Sequence, residues 1–161
     1  MKAISKRYII FTFLSLLFVQ LSVAQSIIRC GNEKHICYKD TLTMEERCRV
    51  REIAALVPDS VKTQFSFLLY KWNYAIAHNH KTLLSSNTYS YAELSEFHAL
   101  KSMGSQVIPL IIERLMEPSN FYLLVLYEAV QKDSSKIAKY HIGGEQNRAI
   151  KCVKKWLECK E

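Results

Sequence analysis

Turn-forming residues are scarce in this chain, four glycines and three prolines in 161 residues, and that scarcity restricts the folds open to it. An all-β protein of this size turns roughly every 8–12 residues and draws heavily on glycine and proline to do so. Helices need far fewer such residues, so an all-α fold is expected.

Helix signals recur along the chain. Thr43-Met44-Glu45-Glu46 fits a capping box, with the Thr43 hydroxyl accepting the Glu46 N–H and the Glu46 carboxylate accepting the Thr43 N–H. The helix it opens is expected to reach about Val57 and to stop at Pro58. Asp59 or Ser60 then caps a longer helix with Val61, Phe65, Leu68, Leu69, Trp72 and Ile76 at three- and four-residue spacing, ending near His78 to His80. After the polar loop Leu84 to Thr88, Ser90-Tyr91-Ala92-Glu93 reads as a second capping box opening a third helix, which Gly104 ends. Ser105 caps a fourth, with Pro109 in its first turn and a stop at Pro118. Asn120 caps a fifth, from Phe121 to about Gln131, apolar nearly all round and therefore buried on more than one side. A last helix runs from about Gly144 to Cys159. These make about six helices, antiparallel where the links at Pro58, Gly104 and Pro118 are short. Trp72, Tyr127 and Trp156 fall at buried-face spacing and read as core anchors.

The first 24 residues have the form of a secretory signal peptide: a basic start at Lys2, Lys6 and Arg7, an apolar run from Tyr8 to Val19, and small residues at Ser22-Val23-Ala24. The run is short of the about 20 apolar residues a spanning helix needs, so a cleaved product without a stable membrane anchor is expected, periplasmic or secreted. Residues 25–42 form an N-terminal arm and 43–161 a single helical domain. Without Lys2, Lys6 and Arg7, 19 basic residues face 15 acids, and the net charge falls from +7 to about +4. The terminal lysines Lys151, Lys154, Lys155 and Lys160 are interrupted by Glu158 and Glu161 and are not accompanied by Arg-aromatic interleaving, the pattern of a solvated helix face; a nucleic-acid partner is not expected.

Signals for chemistry are weak. His78-Asn79-His80 would share a face only on extended chain, and on a helix the two imidazoles diverge. Cys30 and Cys37 have six residues between them, His35 included, wider than a structural zinc pair, and export favours disulfides over metal. Neither a metal nor a cofactor enters the expectation. Cys30, Cys37, Cys48, Cys152 and Cys159 allow at most two internal bridges, with one thiol left over. Cys152 and Cys159 stand too far apart along one helix to bond each other. No cysteine sits in a nucleophile motif, and no catalytic residue is assigned. The best ligand or interaction candidates are Glu145, Gln146 and Arg148 at the start of the last helix, facing Ser85 and Asn87 of the Leu84–Thr88 loop. The simpler role for them is structural, Glu145 at the helix N-terminus and Arg148 holding the loop.

Glu96 to Gly104 followed by Val107-Ile108-Pro109-Leu110-Ile111 resembles the helix-Gly-helix-Pro unit of HEAT-like repeat proteins. Four stretches resemble a family of small, largely uncharacterised helical proteins of bacteria and fungi. These are Pro58 to Lys62 with Leu69 and Trp72, Leu84-Ser85-Ser86-Asn87-Thr88, Phe121 to Tyr127, and Gly144-Glu145-Gln146-Asn147-Arg148-Ala149 ahead of Trp156. Asn147 departs from that pattern, where a glycine is expected. The resemblance implies an irregular HEAT-like array or bundle and carries over no functional residue. The function expected from it is an exported helical module that binds a protein or peptide, for instance an immunity or inhibitor protein. The alternative is a small periplasmic hydrolase or ligand-binding protein with a polar site at the start of the last helix.

Overall fold

The computed structural model describes residues 41–139 and 143–158, all within the unit Tyr38–Glu161. The expected signal peptide, most of the arm, His35 and the candidate cysteines Cys30, Cys37 and Cys159 lie outside the described residues. The fold is all-α, with no strand among the described residues.

Helix α1, Met44–Ala55, starts with the capping box read from its sequence: Glu46 N–H donates to Thr43 Oγ1 at 3.1 Å and Thr43 N–H to Glu46 Oε2 at 2.7 Å. Pro58 separates it from α2, Asp59–His78, and occupies the N-cap itself, so neither Asp59 nor Ser60 takes that position. Phe65, Leu69 and Trp72 of α2 face inward at four- and three-residue spacing. Trp72 is fully buried between the rings of Phe97 and Tyr122, at 5.5 and 5.7 Å between centroids, and its indole N–H donates to the Tyr91 carbonyl at 3.0 Å. That satisfies the one polar atom of a large buried side chain.

A short α3, His80–Leu83, follows, capped by Asn79, whose side chain accepts the Lys81 N–H. The sequence pattern treats this stretch as a helix end. Buried Thr82 makes it a turn of its own, its hydroxyl meeting the carbonyls of Ile76 and Asn79 at 2.7 and 2.9 Å. The second capping box does not form. A 3-10 helix, Thr88–Glu93, is capped by Asn87 instead, and the Ser90 hydroxyl bonds back to the Asn87 carbonyl at 2.7 Å. Helix α4, Ser95–Ser102, therefore begins later than expected, behind Leu94.

Gly104 ends α4 at a φ of +69°, a conformation that glycine adopts without Cβ strain. A 3-10 turn, Gly104–Val107, leads into α5, Ile108–Leu115, with Pro109 in the first turn as expected and Val107, not Ser105, at the N-cap. Ile108, Leu110, Ile111, Ile112 and Leu115 are all buried, which makes α5 the centre of the core, against α1, α6 and α7. The expected fifth helix is divided into a 3-10 segment, Pro118–Leu123, and α6, Leu124–Val130. Asn120 is no N-cap: its amide donates to the Arg114 carbonyl at 3.0 Å, closing the end of α5 and meeting one of the carbonyls a helix end leaves without a partner. After a 3-10 turn at Ser134–Lys136, Gly144 at a φ of +83° opens α7, Gly144–Glu158, which packs on the 118–123 segment and on α5.

Candidate functional site

At the start of α7 the first turn carries Glu145 on its solvent side and Arg148 on its core side. Arg148 is buried, and its guanidinium is held from four directions. Nε donates to the Ala138 carbonyl at 2.9 Å, Nη1 to Glu145 Oε2 at 3.1 Å and to the Tyr89 hydroxyl at 3.5 Å, and Nη2 to Glu128 Oε1. The Tyr89 hydroxyl donates to the other Glu128 oxygen at 3.1 Å. One side chain thus ties α7 to α6, to the 134–139 segment and to the 88–93 turn. Charge-assisted bonds of this kind are about twice as strong as neutral ones. The Arg148 side chain is 8% exposed and that of Glu128 20%, so both ions lie largely out of water and depend on each other.

The 85–90 loop is rigid for local reasons. Ser85 Oγ accepts the Asn87 N–H at 3.1 Å, and the Asn87 side chain accepts the Tyr89 N–H at 3.0 Å, so side chains close two successive turns. This presents Ser86 to Tyr89 to the start of α7. With Phe121, Glu145 and Arg148 they line a cleft of about 400 Å³. The structure therefore brings Asn87, Glu145 and Arg148 together. Ser85 stays in the loop with its hydroxyl engaged by Asn87, and Gln146 does not line the cleft.

Tyr89, Phe121 and Glu128 belong to this arrangement and were not singled out from the sequence. Glu128 carried a signal: it is the one charge in the apolar run Leu124 to Val130, and a lone acid on a helix buried nearly all round needs a partner. Burial pushes the Glu145 carboxyl above its ordinary value, even beside Arg148. Burial likewise raises the Cys152 thiol, and its sulfur accepts the Ala138 N–H at 3.3 Å. A buried thiol shifted upward is a poor nucleophile. Cys48 and Cys152, both considered for disulfides, are free thiols here. Among the described residues no group of three His, Cys, Asp or Glu side chains is placed to hold a metal ion, and no helix is long and apolar enough to cross a membrane.

A second surface lies on α2, opposite its buried face. Phe67, Tyr70 and Tyr74 are 56, 67 and 56% exposed and follow one another at three- and four-residue spacing, forming a stripe. The Lys71 ammonium lies 4.6 Å from the Phe67 centroid, and the Tyr74 ring stacks on His78 at 3.9 Å. A groove of about 280 Å³ near the start of α2 is lined by Arg51, Lys62, Phe65, Leu110, Glu113 and Arg114 among others; another, of about 510 Å³, reaches the stripe at Tyr74 and is lined also by His78, Glu93 and Glu96.

Compared with known proteins, the chain matches no family model, no curated protein and no solved structure.

Proposed function

We propose that this chain is an exported helical module that binds a protein or peptide partner along the outer face of α2. The observation that carries the reading is the aromatic stripe. Three large rings left in solvent on one face of a 20-residue helix cost hydration free energy in the free protein, and covering them recovers it. Tyrosine and arginine are the side chains that dominate binding energy at protein interfaces, and an apolar centre with a polar rim is the usual anatomy of such surfaces. The α2 face has such an apolar centre, with Glu93 and Glu96 lining the groove at its Tyr74 end. An inhibitor or immunity protein is a concrete version of this role. The likeness of the α4, Gly104 and α5 unit to HEAT-like hairpins belongs to the same proposal.

The test is co-purification with the tagged protein under non-reducing conditions, wild type beside a Tyr70→Ser, Tyr74→Ser double variant. A stoichiometric partner held by the wild type and lost from the folded variant supports the reading. A partner that stays bound to the variant moves the interface elsewhere. Intact mass of the purified chain reads out cleavage after residue 24 at the same time.

A further inference from the structure

We propose that the cleft beside Glu145 receives a cationic side chain, lysine or arginine, from the protein partner; this rests on the interaction reading above and adds a chemical class to it. Two carboxylates, Glu128 and Glu145, surround a single guanidinium. Glu128 is met on both oxygens, by Arg148 and by the Tyr89 hydroxyl. Glu145 shares Arg148 Nη1 with Tyr89. Its side chain is 28% exposed against 8% for Arg148, so the charge a visitor meets in the cleft is negative. An anion would have to displace Glu145 to reach the guanidinium, whereas a cation finds the carboxylate at the cleft wall.

The rest of the lining suits the same visitor. The rings of Tyr89 and Phe121 supply faces on which an ammonium or guanidinium gains cation–π attraction, and the stem of a lysine or arginine gains apolar contact. Ser86, Asn87 and Thr88 bring hydroxyl and amide oxygens, acceptors of the kind the remaining N–H groups of such a cation require. A volume of about 400 Å³ accommodates one long side chain. Burial has already raised the Glu145 carboxyl, which means its charged form is under-compensated in the free protein. A second cation restores that compensation.

The proposal is tested by aromatic proton–carbon NMR of the purified protein, titrated with Nα-acetyl-lysine amide, Nα-acetyl-arginine amide and the neutral Nα-acetyl-norleucine amide. The cationic amides are expected to shift the Tyr89 and Phe121 ring signals at concentrations where norleucine amide does not. Glu145→Gln, which keeps a side-chain oxygen for Arg148, is expected to weaken the cationic amides about tenfold or more, an effect of the size of one desolvated charge contact. Equal response to norleucine amide, or undiminished binding by Glu145→Gln, overturns the proposal. If Glu145→Gln does not fold, Phe121→Leu replaces it, since it leaves every partner of Arg148 in place. It must weaken the cationic amides more than norleucine amide, and equal weakening overturns the proposal. These probes do not involve α2. A failed titration therefore removes the cation cleft alone, and a partner insensitive to the Tyr70→Ser, Tyr74→Ser double variant removes the α2 reading alone.

Discussion

At the start of α7 a guanidinium is buried and engaged by Ala138, Glu145, Tyr89 and Glu128, while on α2 three large rings stand in solvent, one beside the Lys71 ammonium and one stacked on His78. Charge has gone inward in one region and aromatic surface outward in the other. The difference separates two uses of side chains that sequence composition alone mixes together. A buried, fully partnered ion fixes how four segments meet, and removing it is costly because its partners stay behind. An exposed ring contributes little to folding, and it is on such rings that the binding proposal rests.

The comparison can be broken most severely within α2 itself. Trp72 on the inner face and Tyr70 on the outer face are two residues apart, yet Trp72→Ala should cost about 3–5 kcal/mol in denaturant unfolding. A cost below about 1 kcal/mol would mean that the core is not built around that ring. Next comes Arg148→Ala, expected to lose about 3–5 kcal/mol because two carboxylates are left without their cation. Arg148→Met, which fills the volume, should not restore the loss, whereas Arg148→Met with Glu128→Gln should recover part of it. Tyr89→Phe removes only the hydroxyl that links Glu128 to the 88–93 turn, and about 1 kcal/mol is expected. Tyr70→Ser, on the other face, should stay within about 0.5 kcal/mol of wild type while weakening partner capture.

The smallest effect is one of pH. The Ser135 hydroxyl, and then its N–H, hold the Asp133 carboxyl below its ordinary value of 3.8. A depressed folded-state value means that ionised Asp133 favours the folded chain above the unfolded value, and that this contribution fades as pH falls through the folded one. Asp133→Asn should therefore lower Tm slightly at neutral pH and converge with wild type as pH falls below about 4, which flattens the pH dependence there. Glu145 has the opposite sign. Its raised value makes its contribution less favourable as pH rises from the ordinary value of 4.5 through the folded one.

Two motifs of the same type show how far local sequence reaches. Thr43-x-x-Glu46 and Ser90-x-x-Glu93 both read as capping boxes, and only the first forms. Ahead of the second stands Asn87, whose side chain closes a turn and starts the 3-10 helix early, so that Ser90 spends its hydroxyl on the Asn87 carbonyl. The Trp72 indole then takes the Tyr91 carbonyl, which fixes the turn against α2 from a distance of 19 residues. Asn120 is a parallel case, an apparent N-cap that ends the preceding helix instead. At the site, the meeting of the 85–88 loop with the start of α7 was legible as a grouping of polar residues. The partners that complete it, Tyr89, Phe121 and Glu128, come from three elements, the 88–93 turn, the 118–123 segment and α6, and only the lone acid in an apolar run hinted at one of them.

Features that depend on neighbours along the chain are legible in the residues alone. Scarce glycine and proline with three- and four-residue apolar spacing make the fold all-α, Pro58 and Gly104 set helix ends, and the first capping box forms because both partners lie within one turn. Which competing local bonds win, and where charges find partners, is settled by contacts made across the folded chain. Those outcomes turn on groups tens of residues apart, such as Tyr89, Glu128 and Arg148, whose attraction becomes strong only once folding has removed the water between them.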